Sequence, residues 1–559
     1  MRSWLLFVAA CHAASPHPPD LATLAAPAVK QLDPAQLERD TKYLASDELE
    51  GRAPGTPGGT KTEDYIAKRY AEIGLQPAGD RGTYFQNVPL REASIVDATL
   101  SINGTALERG KDAIILAYPR DAQVAIDAPF VFVGYGIDRG DLGYDDLTGV
   151  DLHGALAVVF GGSPRTIAGK QLDPALHAVL ADLDQRTKVL RDHGASAVLV
   201  IRDPVRAEKV PWSLALKRVP RTAAVWLEDG APTSGFSLPT AVIDGPTFDR
   251  IAGQPVAHAL WEKLDRGERA TFDGKLTGSL HITSSLRDIV GRNVIGMLPG
   301  GDLRDEVVAY SAHHDHLGVG DAVNGDRIYN GALDNAIGVA EMLEIARGLK
   351  ALPHPPRRSM LFVAVTGEEA GLLGSDYFAM HPTLPIERIV ADINIDGGVP
   401  YYQVFDVNAL GSEHSSLHGE ALAAARAAGL MLSPDPSPEQ VYFIRSDQYS
   451  FVKRGIPSVF VGAGVLDVHG SPEANRKLNE QWEEQHYHQP SDEWQPGYRA
   501  AWTLPEMTFE LDVGLAVADA DTRPSWNAGD VFGGVAKPGA RRDSRQPVSS
   551  RVDGSAKQP

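Results

Sequence analysis

The chain holds one cysteine in 559 residues, Cys11, so it forms no internal disulfide, and cysteine-nucleophile chemistry is excluded. Positive charge is scarce: 53 Lys and Arg stand against 73 Asp and Glu, a formal net charge of -20. That balance argues against nucleic acid and anionic membrane as partners, because both require basic surface. No apolar run approaches the roughly 20 residues of a membrane-spanning helix. The G-x-S-x-G elbow of serine hydrolases is missing. "GYGIDRG" lacks the spacing of a dinucleotide fingerprint and reads as a turn. There are no internal repeats.

What is present suggests an exported protein of two or three domains. "MRSWLLFVAACHAAS" combines one Arg with the short apolar run Trp4 to Ala10, as export signals do. "VAAC" around Cys11 resembles the lipobox at which bacterial lipoproteins are cut and lipidated, whereas cleavage after Ala13 would release a soluble protein. The expected location is therefore periplasmic, cell-envelope or secreted, with a lipid anchor at Cys11 as one alternative. A Pro/Ala-rich linker follows, and signal plus linker occupy residues 1–35. Helical spacing at Leu37, Tyr43 and Leu44, then at Ile66, Tyr70 and Ile73, places two helices in residues 36–87. Residues 88–286 differ in texture, with short β-type runs such as "FVFVGYG", "GALAVVFGG" and "ASAVLVIRD" around one helix in "PALHAVLADLDQRTKVLRDHG". They read as a compact inserted α+β unit. Residues 521–559 are polar and rich in Gly, Pro and Ser, which predicts a disordered tail.

Residues 287–520 read as α/β. "EVVAYSA", "SMLFVAVTG", "RIVADIN" and "IPSVFVG" have the continuous hydrophobicity of strands buried on both faces. They alternate with helical patterns such as "NAIGVAEMLEIARGLK", with Ala336, Val339, Ala340, Leu343 and Ala346 on one side. A mostly parallel sheet flanked by helices follows. Polar residues occur where these strands stop: His313 after the first, Glu368 and Glu369 after the second, Asp396 after the third. In open α/β sheets that rim is where ligands bind. Asp334, before a helix, and His488, in "HYHQPSDEW", are further candidates. Two imidazoles and three carboxylates suit zinc in a catalytic site. Five ligands exceed the needs of one ion, and two ions sharing a carboxylate would account for the number. Glu368 and Glu369, adjacent at a strand end, point in different directions, so one can ligate while the other moves a proton.

"SAHHDHLG", "GALDNAIGVAEMLEIAR", "FVAVTGEEAGLLGS", "INIDGG" and "YHQPSDEW" together resemble the zinc aminopeptidases of metallopeptidase family 28. The resemblance covers roughly residues 35 to 515, and the unit at 88–286 is similar to the protease-associated domain often inserted in that family. It implies the zinc-exopeptidase α/β fold, peptide substrates and two zinc ions, with manganese or cobalt as substitutes. It implies that His313, Asp334 and Asp396 hold one zinc and that Asp334, Glu369 and His488 hold the other. Glu368 would be the general base and Asp315 the carboxylate orienting His313. Tyr487 would stabilise the oxyanion, Arg445 would contact substrate, and a cis peptide would follow Asp334. His314 and His316 are expected at the rim. "NIDGGVP", with Gly397, and Ile337 depart from the family pattern and bear on pocket shape. Carboxypeptidase or dipeptidase action stays open through Arg445 and Arg454. A glutaminyl cyclase or a receptor-like protein fits the full ligand set less well. No motif speaks to oligomeric state.

Overall fold

The computed structural model describes residues 20–217, 219 and 222–535. The expected export signal and Cys11 lie outside the described residues, as does 536–559. No helix among the described residues is long and apolar enough to cross a membrane.

Three α-helices open the described residues: α1 (Leu21–Val29), α2 (Pro34–Leu44) and α3 (Pro57–Ile73). The long strand β1 (Phe85–Ile102) leads into a second unit containing β2 (Gln123–Phe132), β3 (Leu156–Phe160), β4 (Ala197–Ile201) and β5 (Thr240–Ile243). These four pair in parallel in that order. β6 (Leu276–Leu298) returns antiparallel to β1, with Gly278 opposite Ile102 and Val294 opposite Phe85. The expected boundaries at 88 and 286 thus fall inside a continuous two-stranded ribbon. One end, at Val294 and Leu298, enters the main core, while Leu100, Ile102 and Leu280 at the other enter a separate core.

The main unit continues through β7 (Leu303–His313), α4 (Ile337–Lys350), β8 (Arg358–Val365), β9 (Ile389–Ile395), β10 (Asp406–Leu410), β11 (Ser458–Ala463) and α5 (Leu504–Asp519). β8, β7, β9 and β11 are neighbours in that order and all parallel. Antiparallel β6 and β10 flank them. Every residue of β8 and β9 is buried, the pattern expected of strands covered on both faces. The register sets His313 opposite Val365 and Ser311 opposite Asn394. Two residues beyond Asn394 is Asp396, so three strand ends reach one rim at the same level.

Three expectations change. Residues 21–29 of the predicted linker are helical despite Pro27, because Ala25 and Ala28 bury in the main core. The helix predicted from "PALHAVLADLDQRTKVLRDHG" is two, Pro174–Ala181 and Leu183–Asp192, since Asp182 turns to cap the second through the Asp184 and Gln185 N–H groups. Residues 521–535 of the predicted tail are packed: Phe532 is fully buried with Tyr449, Val452 and Ala175, and Trp526 Nε1 donates to the Gly455 carbonyl at 2.9 Å. Ala175 belongs to the second unit, so this cluster also ties the two units together. Trp226 does the same through its Nε1, 3.0 Å from Asp376 Oδ2.

Helices α4 and α5 bury a carboxyl cluster. Glu341, Glu506 and Glu510 are all at most 1% exposed. Burial, then the charge of Glu506, pushes Glu510 well above the ordinary carboxyl range, and burial pushes Glu506 up to about 7. Below the unfolded-state value of 4.5 both states are protonated. As pH rises from there toward 7 and beyond, the unfolded chain ionises first and stability falls. Glu510→Gln is therefore expected to raise the melting temperature at pH 8 and to leave it nearly unchanged at pH 4.5. Equal shifts at both pH values would contradict this.

Candidate functional site

The rim gathers the residues singled out in the sequence. His313 Nε2 lies 3.1 Å from Asp396 Oδ1 and 3.3 Å from Asp334 Oδ1. His488 Nε2 lies 3.3 Å from Asp334 Oδ2 and 3.1 Å from Glu369 Oε2. The two carboxylate oxygens of Asp334 thus face two different donor groups. Glu368, beside Glu369, points instead toward the His313 group, with Oε2 4.0 Å from His313 Nε2. The main chain of Glu368 is fixed: its N–H donates to Asp315 Oδ1 at 3.1 Å and its carbonyl accepts from Gly371 and Leu372.

Burial disfavours charge here, and the groups counter it for one another. Burial works against protonation of His313, yet Asp396, Asp334 and Glu368 hold it well above the usual imidazole range. His488 is likewise raised to about 10 against burial by Glu369 and Asp334. Burial and Asp334 push Glu369 up, but His488 and His316 outweigh them and bring it to about 2. Glu368 goes the other way: burial, followed by Asp396, Glu369 and Asp447, raises it well above 4.5 despite His313. Two adjacent glutamates are thereby driven apart, Glu369 downward and Glu368 upward.

The donor set suits divalent cations. Asp334 Oδ2, Glu369 Oε1 and His488 Nε2 are buried without a hydrogen-bond partner. Donor atoms of His313, Asp334 and Glu369 lie within 4.8 Å of one another. A tetrahedral cation bonded at about 2.0–2.1 Å spaces its ligands about 3.3 Å apart. The His–carboxylate spacings of 3.1–3.3 Å in both groups agree with that. A cation would also take over the interactions that hold the two imidazoles protonated.

Sequence reasoning missed much of the support. Arg52, 1% exposed, donates to the carbonyls of His314 (2.9 Å), Leu44 (2.7 Å), Gly331 (2.9 Å) and Asn330. It thereby joins the segment carrying His313 to the loop carrying Asp334. Asp492 accepts the Asp334 N–H at 3.1 Å and the Leu333 N–H at 3.1 and 3.3 Å, fixing the same loop. The Asp334–Asn335 peptide is cis. Gly397 has φ +108°, a region side chains avoid, so a bulkier residue does not fit this backbone.

Behind Asp396 runs a buried chain of hydrogen bonds. Ser446 Oγ donates to Asp396 Oδ2 at 2.5 Å, and Asn394 Nδ2 donates to Ser446 Oγ at 2.8 Å. Ser311 Oγ donates to Asn394 Oδ1 at 2.9 Å and lies 3.1 Å from Asp392 Oδ2. Ser311 Oγ is thus within donating distance of both Asn394 Oδ1 and Asp392 Oδ2, and burial pushes the Asp392 carboxyl well above its usual range. Asn394 and Ser446 thus form a buried relay of donors ending on Asp396 Oδ2, with Asp396 Oδ1 toward His313.

Four expectations need adjustment. His313 Nδ1 meets the main-chain carbonyl of Asp315 at 3.2 Å, while Asp315 Oδ1 is 3.8 Å away, because that oxygen serves the Glu368 N–H. His314 and His316 are not rim residues; both are 1% exposed. His314 Nε2 turns away to the Arg292 carbonyl at 3.0 Å. Arg454 contacts Met380 Sδ, away from the donors. Tyr487 stacks on the His488 ring, with centroids 3.9 Å apart, and burial together with Asp334 and Glu369 keeps its hydroxyl protonated. Arg445 lies over the Tyr442 ring, 5.6 Å from its centroid, and its charge reaches Tyr487.

A parallel α/β sheet whose strand ends present two donor groups around one shared aspartate defines a metal-binding hydrolase-type domain. Residues 293–510 match the model of peptidase family M28, and the chain carries a domain of that family. It is 35% identical over 123 residues to aminopeptidase NAALADL1 of Mus musculus, covering 21% of this chain and 15% of that protein. It is 28% identical over 201 residues to a probable leucine aminopeptidase 2 of Aspergillus oryzae, covering 34% of this chain and 38% of that protein. The matches thus span well under two thirds of these relatives. An aminopeptidase from Aneurinibacillus sp. strain AM-1 shares the fold, with a TM-score of 0.52 at 18% identity, over 90% of this chain and 97% of that one.

Proposed function

We propose that the chain is a zinc-dependent aminopeptidase that removes N-terminal residues from peptides with the help of two zinc ions. The observation that carries this reading is the division of Asp334 between two histidine–carboxylate groups. The aminopeptidase names of the relatives in the same family support it. In this reading His313, Asp334 and Asp396 hold one zinc, and Asp334, Glu369 and His488 hold the other. Manganese or cobalt would suit the same donors.

Bound zinc would supply Lewis acidity and lower the pKa of water. The chain's own residues do the rest. Glu368, raised by burial and by its carboxylate neighbours, accepts the proton of the attacking water and returns it to the leaving amine. Tyr487, kept protonated, donates to the oxyanion of the tetrahedral intermediate. The carboxylates of the rim favour a cationic α-amine, hence cleavage at the amino end. Arg445, whose charge reaches Tyr487, contacts the substrate backbone. Arg454 is away from the site, whereas Arg445 and Arg206, whose charges reach Tyr487 or one another, remain to receive a substrate carboxylate in the carboxypeptidase alternative. The second unit, read as a protease-associated insertion, packs through Ala175 and Val179 beside Phe443 and Ile444, next to Arg445, and so borders the cleft there.

Zinc-loaded protein is expected to hydrolyse an unblocked tripeptide such as Leu-Ala-Gly and to lose that activity on chelation. Hydrolysis that persists without metal would overturn the proposal.

A further inference from the structure

Residues 521–535 lie beyond the stretch matched to the family, 293–510, and have no part in the reaction outlined above. They are nevertheless clipped to the main unit by a run of polar contacts. The Ser416 N–H donates to the Ser525 carbonyl and the Asn527 N–H to the His414 carbonyl, both at 2.9 Å. Asn527 Nδ2 donates to the Glu413 carbonyl at 2.8 Å, and Asp530 Oδ2 lies 2.8 Å from His414 Nδ1. Asp530 Oδ1 accepts the Phe532 N–H at 2.9 Å. The Phe532 ring is fully buried and meets the ring of Phe443, two residues before Arg445, with centroids 5.1 Å apart at 72°.

We propose that Phe532 is a positioning residue that, through Phe443, holds the turn carrying Arg445 where Arg445 meets the substrate. This rests on the aminopeptidase reading, in which Arg445 contacts the substrate backbone. Among the described residues, the Arg445 side chain has its hydrogen bond with the Gln440 carbonyl, at 3.3 Å, and its ring contact with Tyr442. Both partners belong to its own segment, so its position follows the turn Tyr442–Ile444. That turn opens on Val441 at φ +51°, a conformation β-branched side chains disfavour, so contacts from outside must maintain it.

The outside contacts are few. Tyr442 Oη donates to Glu483 Oε1 at 2.9 Å, and Gln448 Nε2 donates to the Phe443 carbonyl at 2.8 Å. The apolar anchor is the Phe443 ring. Gly411 makes room for it, since a Cβ there would run into Phe443 Cε2, on a backbone with φ +83°. The His414 ring stacks beside it, with centroids 6.1 Å apart, and Phe532 stands edge-on to both rings. The neighbouring groups of the reaction have anchors of their own: the Glu368 main chain through Asp315, and Ser446, next to Arg445, through Asn394. Loss of Phe532 therefore acts on substrate binding and leaves the chemical step in place.

The test is steady-state hydrolysis of Leu-Ala-Gly by the zinc-loaded full chain, for wild type, Phe532→Ala, Arg445→Ala and the double variant. Phe532→Ala is expected to raise KM about 10-fold and to keep kcat within about 2-fold of wild type. Arg445→Ala should raise KM at least as much, and adding Phe532→Ala to it should raise KM no further, because both act through one contact. A merely structural contribution would instead lower kcat and zinc content together and would add in full to the effect of Arg445→Ala. Should Phe532→Ala fail to fold, Phe532→Leu, which keeps apolar bulk, is expected to give a smaller rise in KM that again vanishes in the Arg445→Ala background. A wild-type KM in folded Phe532→Ala, or a rise that persists in full without Arg445, would overturn the inference while leaving the aminopeptidase reading intact. Wild type that does not hydrolyse the peptide would overturn both.

Discussion

Glu368→Gln is expected to reduce kcat on an unblocked peptide by about 10²–10⁴-fold, the usual contribution of a positioned general acid–base. Zinc content should remain that of wild type. Two features make this a sharp expectation. Glu368 lies outside both donor groups, with Oε2 4.0 Å from His313 Nε2, whereas the His–carboxylate contacts within the groups are 3.1–3.3 Å. Its main chain is fixed through Asp315, Gly371 and Leu372, so the amide would stand where the carboxylate stood. Glutamine has the same shape and cannot take up the proton of water. KM should change little, since a loss confined to kcat marks a group that acts in the transition state. A fall in zinc content would instead make Glu368 a ligand and move the base elsewhere.

Asp334→Asn should be more damaging still. Asp334 is the one residue with an oxygen in each donor group, so its loss affects both together. The variant is expected to lose measurable hydrolysis and to bind zinc more weakly at both positions, whereas Asp396→Asn and His488→Gln should each spare one equivalent. Asp334 is held well below the ordinary carboxyl range by His313, His488 and His316 against the effect of burial, so the site depends on its charge. Its removal leaves buried imidazoles facing a neutral amide. Metal content by elemental analysis of the three variants separates these cases. Retention of one full equivalent by Asp334→Asn would show that the aspartate is not shared.

The donor residues gathered at the rim were legible in the sequence for a simple reason. Parallel strands buried on both faces are continuous apolar runs, and the first polar residues after such runs sit at a common sheet edge. His313, Glu368, Glu369 and Asp396 announced themselves in that way. Asp334 and His488 came from a helix start and a loop, where they were further candidates until the family resemblance gave them roles. What holds these residues was not legible. Arg52 acts through main-chain carbonyls 262 and 279 residues further along, and such bonds leave no local pattern. His316 looked like His314, because adjacent histidines in a loop are told apart only by where their rings turn. Ser446 and Asn394 are ordinary strand and loop residues until the fold stacks them behind Asp396. The errors in the fold have the same origin. Residues 21–29 belong to a Pro/Ala-rich stretch and 521–535 to a Gly/Pro/Ser-rich one, and tertiary burial of Ala25, Ala28, Trp526 and Phe532 orders them.

The most direct test of the account compares hydrolysis of Leu-Ala-Gly with that of its N-acetylated twin by zinc-loaded wild-type protein, with the chelated protein as blank. Release of leucine from the free peptide alone, absent after chelation, is the predicted result. Equal cleavage of the acetylated peptide would contradict action at the amino end, and cleavage by the chelated protein would contradict a metal centre.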